Sequence, residues 1–113
     1  MIKRVFISHP FRNDPAGNIR KVAHICRKIA EHQKDVIPYS PIHAFSYLDD
    51  ALHRELALNY CLDLLSMCDQ LWVYGDWQKS EGCKEEVKSA QALGMPVLVN
   101  GCSLLDEYSG ITG

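Results

Sequence analysis

The stretch Asp-Trp-Gln-Lys-Ser-Glu-Gly-Cys-Lys-Glu-Glu, from Asp76 to Glu86, gathers most of the side chains that can do chemistry. Ser80 is of a type that caps helix N-termini, and Glu81 behind it suits a first helical turn. The backbone N–H groups of Glu81, Gly82 and Cys83 would then point out of a helix start, a ready site for an anion such as a phosphate. Glu86, six residues after Ser80, can act as a nucleophile or general base. A second segment, Ser8, His9, Phe11, Arg12 and Asn13, offers a guanidinium fork from Arg12. Phe11, Trp77 and Tyr47 can stack on a base, and a third loop brings Ser40 and His43. Asp76, His9 and His43 are the candidate general acids. Each feature also has a plain reading: Ser80 as a cap alone, Glu86 as a solvated helical Glu.

These residues need a scaffold that brings distant loops together. Val5-Phe6-Ile7 is the continuous apolar run of a strand buried on both faces, in a strand over 3–8. Further strands are expected at 35–39, 71–74 and 95–99, the last as a second buried strand. Asp14 caps a helix that begins at Pro15 and runs to His32, with an inner stripe of Ile19, Val22, Cys26 and Ile29. Ala23 and Ala30 lie beside that stripe, and Asn18 and Arg20 fall where the preceding loop can recruit them. Residues 39–43 read as a loop and 44–50 as an irregular segment long enough to cover a pocket. A helix starting at Asp49 or Asp50 runs to about Cys68, and the last helix spans Glu81 to Gly94, which closes it before Pro96.

Strands alternating with helices give an α/β fold: a flavodoxin-like three-layer sandwich with a four-stranded parallel sheet, order 2-1-3-4. The switch point of that order lies between strands 1 and 3, which puts the loop after Ser8 beside the loop after Tyr74. In the last helix Cys83, Val87 and Ala90 form the sheet-facing stripe. Glu86 lies on its edge with no basic residue at i+3 or i+4, whereas Glu85 has Lys88.

The motif Asp69-x-Leu-Trp-Val-x-Gly75, Ser80-x-Gly82, Glu86, Ala90, Gly94-x-Pro96-Val resembles the nucleoside 2-deoxyribosyltransferase superfamily, particularly its short bacterial and phage members. Ser8-His-Pro-Phe after the first strand, the Asn18 helix and Tyr39-Ser-Pro-Ile-His43 add to the likeness, which covers about 1–99. The resemblance implies that Glu86 attacks the anomeric carbon of a deoxyribonucleoside and forms a covalent glycosyl-enzyme. Transferases acting on free nucleosides tend to carry Asp at the position of Ser80; the branch that hydrolyses deoxynucleoside 5′-monophosphates tends to carry Ser. The expected ligand is therefore a small nucleotide, and the expected activity is cleavage or transfer of the N-glycosidic bond of a (deoxy)nucleoside 5′-monophosphate. Catalysis falls to Glu86 with Asp76, and binding to Ser8, His9, Phe11, Arg12, Ser80, Gly82 and His43. The sequence departs from the family at Cys83, Lys88 and His9-Pro10, and in a shortened terminal region, where Asn100 or Ser103 stands for the residue lent to a neighbouring subunit. Besides a small regulatory protein working through the apolar helix over 51–68, two alternatives stay open. One is a catalytically silent module that binds or sequesters nucleotides. The other is a TIR-like NAD-cleaving domain, because Val5-Phe-Ile-Ser-His9 and Ser80-x-x-Cys83-x-x-Glu86-Val also resemble TIR boxes.

Composition sets the outer bounds. The 113 residues fit one domain, 1–113. A net charge of -2 gives no support for nucleic-acid binding. No apolar run reaches the ~18 residues of a membrane span, and the N-terminus lacks a signal peptide's apolar region, so a cytoplasmic protein is expected. Five cysteines without a C-x-x-C read as free thiols, and five histidines without paired spacing give no metal site. No cofactor is expected. The helix over 51–68 is apolar on more than one side, which predicts a homodimer or higher homo-oligomer through it.

Overall fold

The computed structural model describes residues 1–49 and 51–101. Its elements are β1 (Lys3–Ser8), α1 (Pro15–His32), β2 (Val36–Tyr39), α2 (Pro41–Ala44), α3 (Arg54–Ser66), β3 (Gln70–Val73), a 3₁₀ turn (Trp77–Lys79), α4 (Glu81–Ala92) and β4 (Val97–Val99). The four strands are parallel in the order β2-β1-β3-β4, the expected topology. Among the described residues no helix is long and apolar enough to cross a membrane.

Strand alternation divides the core. Val5 and Ile7 of β1, with Trp72 and Tyr74, face α1 and pack on Val22 and Ile29. Phe6, Leu71 and Val73 face the other way, onto Leu65 of α3 and Cys83, Val87 and Ala90 of α4. Ser8 shares the parity of Phe6, so the last residue of β1 presents its hydroxyl on the α4 side. Register completes the arrangement: Ser8 pairs with Val73, and Ile7 with Trp72.

Local chemistry explains where the helices start. The Gly17 amide donates to the Asp14 carboxylate at 3.2 Å, and Pro15 occupies the first helical position, where its missing N–H is not needed. In α1, Val22 and Ile29 are fully buried and Ile25 and Cys26 pack against them. Ile19 is only half-buried and Ala30 is exposed, so the inner stripe is narrower at both ends than its spacing suggests. Ser40 caps a one-turn helix where a loop was expected: its hydroxyl accepts from the His43 amide, with Pro41 at the first position.

Two further expectations need correction. The long helix begins at Arg54 rather than at Asp49 or Asp50. The Asp49 carboxylate instead accepts from the Ala51 and Leu52 amides, closing a separate turn. Strand β4 has three residues rather than five and lies at the sheet edge, with Val99 55% exposed, so it is not buried. The expected breadth of apolar surface on α3 is present: Leu65 is buried while Leu56, Tyr60 and the C-cap residue Met67 are exposed. Phe45 of the preceding segment covers part of it, edge-on to Tyr60 with centroids 5.5 Å apart. Asp50, Cys102, Ser103 and the tail from Leu104 lie outside the described residues.

Candidate active site

Glu86 is the only described acidic residue that is buried, at 7% exposure. It sits in the second turn of α4, one residue before Val87 of the sheet-facing stripe, and its helix packs over the carboxyl end of β1. The Ser8 hydroxyl donates to Glu86 Oε1 at 2.7 Å, joining residues 78 positions apart. Burial raises the Glu86 carboxyl from its ordinary 4.5 to about 7, with the Ser8 hydrogen bond opposing the rise. Removing a carboxylate from water disfavours its charge, and one hydroxyl donor recovers only part of the lost hydration. The group is therefore poised to change protonation near neutrality.

Glu86 lines a cavity of about 820 Å³, within the range of small-molecule sites. Ser80 and Gly82, at the start of α4, line it too. The Ser80 hydroxyl accepts from the Cys83 amide at 3.3 Å, the expected cap. A Cβ built on Gly82 would meet only the Ser80 hydroxyl, 4.0 Å away, so this first turn has an open face. Asp76 and Lys79 continue the same wall.

The loop after β1 supplies the opposite wall with His9, Phe11 and Arg12. Asn18 holds that loop from α1. It is 2% exposed, and its amide donates to the Phe11 carbonyl at 3.0 Å and to Asn13 Oδ1 at 2.7 Å. His9 Nδ1–H donates to the Pro10 carbonyl at 2.7 Å, which leaves Nε2 as the unprotonated nitrogen of the neutral ring. Burial holds the His9 pKa below its usual value; the Pro10 hydrogen bond opposes this and the nearby Lys21 ammonium adds to it.

The structure thus brings His9, Phe11, Arg12, Asp76, Ser80, Gly82 and Glu86 to one cavity, with Ser8 beneath it bonded to Glu86. It does not bring His43 there: that ring is exposed and bonded to Ser40. Trp77 packs with the Cys83 and Val87 core, and Tyr47 is 70% exposed. Asn100, at φ 59°, donates its backbone N–H to the Val73 carbonyl and is absent from the lining.

A third wall has no counterpart among the expected site residues. Ile42, Phe45 and Leu48 line it, together with Arg54, Leu58 and Cys61 of α3. The signal was there in outline: 54, 57, 58 and 61 are spaced i, i+3, i+4, i+7, one face of a helix. The Cys61 thiol is pushed up to about 12, by burial first and by the Glu86 charge second, which keeps it protonated and places it within electrostatic reach of the carboxylate. Among the described residues no group of three or more His, Cys, Asp or Glu is gathered to hold a metal.

The fold has relatives. A conserved protein from Enterococcus faecalis V583 superposes with a TM-score of 0.65 at 18% identity, over 88% of this chain and 63% of that one. This chain therefore spans less than two thirds of that protein's length. A 2-deoxyribosyltransferase from the psychrotolerant bacterium Bacillus psychrosaccharolyticus superposes with a TM-score of 0.61 at 17% identity, over 85% of this chain and 70% of that one. At such identities the likeness is one of fold, which is 2-deoxyribosyltransferase-like. No curated protein sequence matches the chain. A sequence family described as a domain of unknown function, DUF7768, matches residues 3–100, nearly the full described length. The chain belongs to the DUF7768 family.

Proposed function

We propose that this chain is one domain that binds a (deoxy)nucleoside 5′-monophosphate and cleaves or transfers its N-glycosidic bond, with Glu86 as nucleophile. The observation that carries the reading is the buried Glu86 carboxylate, held by Ser8, in the same cavity as the open first turn of α4. An oxocarbenium-like centre needs a nearby carboxylate. In the proposed step a Glu86 oxygen bonds to the anomeric carbon as the C–N bond breaks. Asp76 holds a water that gives its proton to the departing base. The hydroxide left behind then releases the sugar phosphate and restores Glu86, or a second base takes the sugar and returns its N–H proton to that hydroxide. Ser8 positions Oε1, and the ionised form alone can attack.

The phosphate is assigned to the Ser80 hydroxyl and the α4 amides, with Arg12 from the facing loop. Four cationic side chains line the cavity, Arg12, Lys21, Arg54 and Lys79, against three carboxylates, Asp76, Glu81 and Glu86. Glu86 is only partly ionised near neutrality, so the balance favours an anion. The fold shared with a 2-deoxyribosyltransferase supports a nucleoside as the rest of the ligand. The test is chromatography of free base released from a set of deoxynucleoside 5′-monophosphates. Release by the native chain and its loss in Glu86→Gln are expected; equal release by both contradicts the role of Glu86. In titrations, nucleosides binding as tightly as their monophosphates would sink the phosphate assignment.

The same reading includes self-association through α3 and its C-cap, where Leu56, Tyr60 and Met67 are exposed at 41%, 38% and 60%. Light scattering on the native chain and on Leu56→Asp should give a dimer or larger and a monomer, respectively. A monomeric native chain at high concentration contradicts it.

A further inference from the structure

A second concavity of about 470 Å³ adjoins the first. Its floor is apolar, formed by Ile25 and Tyr74, and its rim carries Arg20, Lys21 and His24 of α1. No carboxylate lines it among the described residues. The helix that forms the rim is itself basic, with Arg20, Lys21, Arg27 and Lys28 against one acidic residue, Glu31. In a chain of net charge -2 this face is a local excess of positive charge.

The two concavities share His9, Lys21 and Gly75. Gly75 is at φ +68°, and a Cβ there would stand 3.3 Å from Pro10 Cδ and 3.6 Å from His9 Nε2. The boundary between them is thus glycine backbone packed closely against Pro10 and the His9 ring, with no side chain of its own to separate the two concavities. The Lys21 ammonium lies close enough to His9 to depress its pKa, so one cation serves both sides of that boundary. An apolar floor under a cationic rim suits a flat ring joined to a phosphate.

We propose that this groove holds the second half of an extended ligand, so that the preferred substrate class is a dinucleotide, with one nucleotide unit in the main cavity and the other across Gly75 on the Arg20–His24 rim. The proposal rests on the nucleotide reading of the main cavity. Its test reads binding alone and therefore stands apart from turnover. The full chain carrying Glu86→Gln, which keeps ligands intact, is titrated calorimetrically with nucleoside 5′-monophosphates, nucleoside 5′-diphosphates, 5′-phosphorylated 3′–5′ dinucleotides and 5′–5′ pyrophosphate-linked dinucleotides. The same titrations are repeated with Arg20→Ala and His24→Ala added. Both positions are exposed on α1 and line only the second groove, so the fold and the main cavity are retained. At least tenfold tighter binding of one dinucleotide linkage over the monophosphate is expected, lost in the combined variant while monophosphate affinity stays unchanged. Two results overturn the groove assignment alone: dinucleotides no tighter than diphosphates, or a gain that survives in the combined variant. Absence of all nucleotide binding overturns the underlying reading as well.

Discussion

Helices α1 and α4 both follow a parallel strand of the same sheet, and both begin with a polar cap, yet their first turns are used in opposite ways. At α1 the Asp14 side chain folds over its own helix start so closely that a Cβ at Gly17 would collide with the carboxylate. Asn18 then spends its amide on the Phe11 carbonyl and Asn13. That helix start is filled by the chain itself. At α4 the shorter Ser80 side chain caps Cys83 and leaves the Gly82 face open to the cavity. A helix N-terminus is a ligand site only where its own cap leaves room. The closed start makes the open one usable, because Asn18 fixes the loop that faces Ser80.

Substitutions can break or sharpen this contrast. The largest expected effect is on turnover: Glu86→Gln, at the open side, should lower base release by about 10³-fold or more, as for loss of a group that acts in the transition state. In the native chain, release should climb with pH through about 7, where Glu86 ionises; a rate that is flat across that range contradicts the assignment.

Next comes stability. The folded state raises the Glu86 pKa, so it holds a proton that the unfolded chain gives up between pH 4.5 and about 7. Native stability should fall as pH rises through that window, and Glu86→Gln should remove the fall. The variant should be more stable than the native chain by on the order of 3 kcal/mol at pH 8, and equal to it near pH 4. Denaturant melts at the two pH values measure this, and a variant destabilised at pH 8 counts against burial as the source of the raised Glu86 pKa.

On the closed side, Asn18→Ala removes two donors' bonds and leaves the Phe11 carbonyl unmatched, a loss of about 2–3 kcal/mol. It should also weaken monophosphate binding by loosening Arg12, a coupling that titration of the variant reads directly. The smallest effects separate the two caps. Asp14→Ala and Ser80→Ala should each cost about 1 kcal/mol in stability, but only Ser80→Ala should reduce monophosphate affinity, by tenfold or more. Equal affinity losses in both would erase the distinction between filled and open starts.

How much of this could be read from the residues alone follows the same division between local and distant chemistry. Sheet order came from Val5-Phe6-Ile7 and the alternating helices, whose signals are local. The Asp14 and Ser80 caps were legible because a cap and its helix are neighbours in sequence. The phase of Cys83, Val87 and Ala90 set Glu86 apart from Glu85, and the carboxylate is indeed buried. Its partner was not legible, since pairing Ser8 with Glu86 needs the parity of β1 and the placement of α4 over it together. The third wall escaped for a related reason. Asp49 looks like the start of a helix, and only tertiary context shows that its carboxylate closes a separate turn and that α3 waits until Arg54. With the helix begun early, the shared face of Arg54, Leu58 and Cys61 had no cavity to point to. His43 shows the converse: a loop at the right sheet edge need not turn its side chain inward, because Ser40 claims the ring first.

The central claim is that Glu86 forms a bond to the sugar, and rapid-quench mass spectrometry of the intact protein tests it most directly. Mixing with a pool of deoxynucleoside 5′-monophosphates should give a transient adduct with the mass of one deoxyribose 5-phosphate unit, mapped by peptide analysis to Glu86 and missing from Glu86→Gln. Base release that proceeds with no adduct, or an adduct on any other residue, would contradict the account.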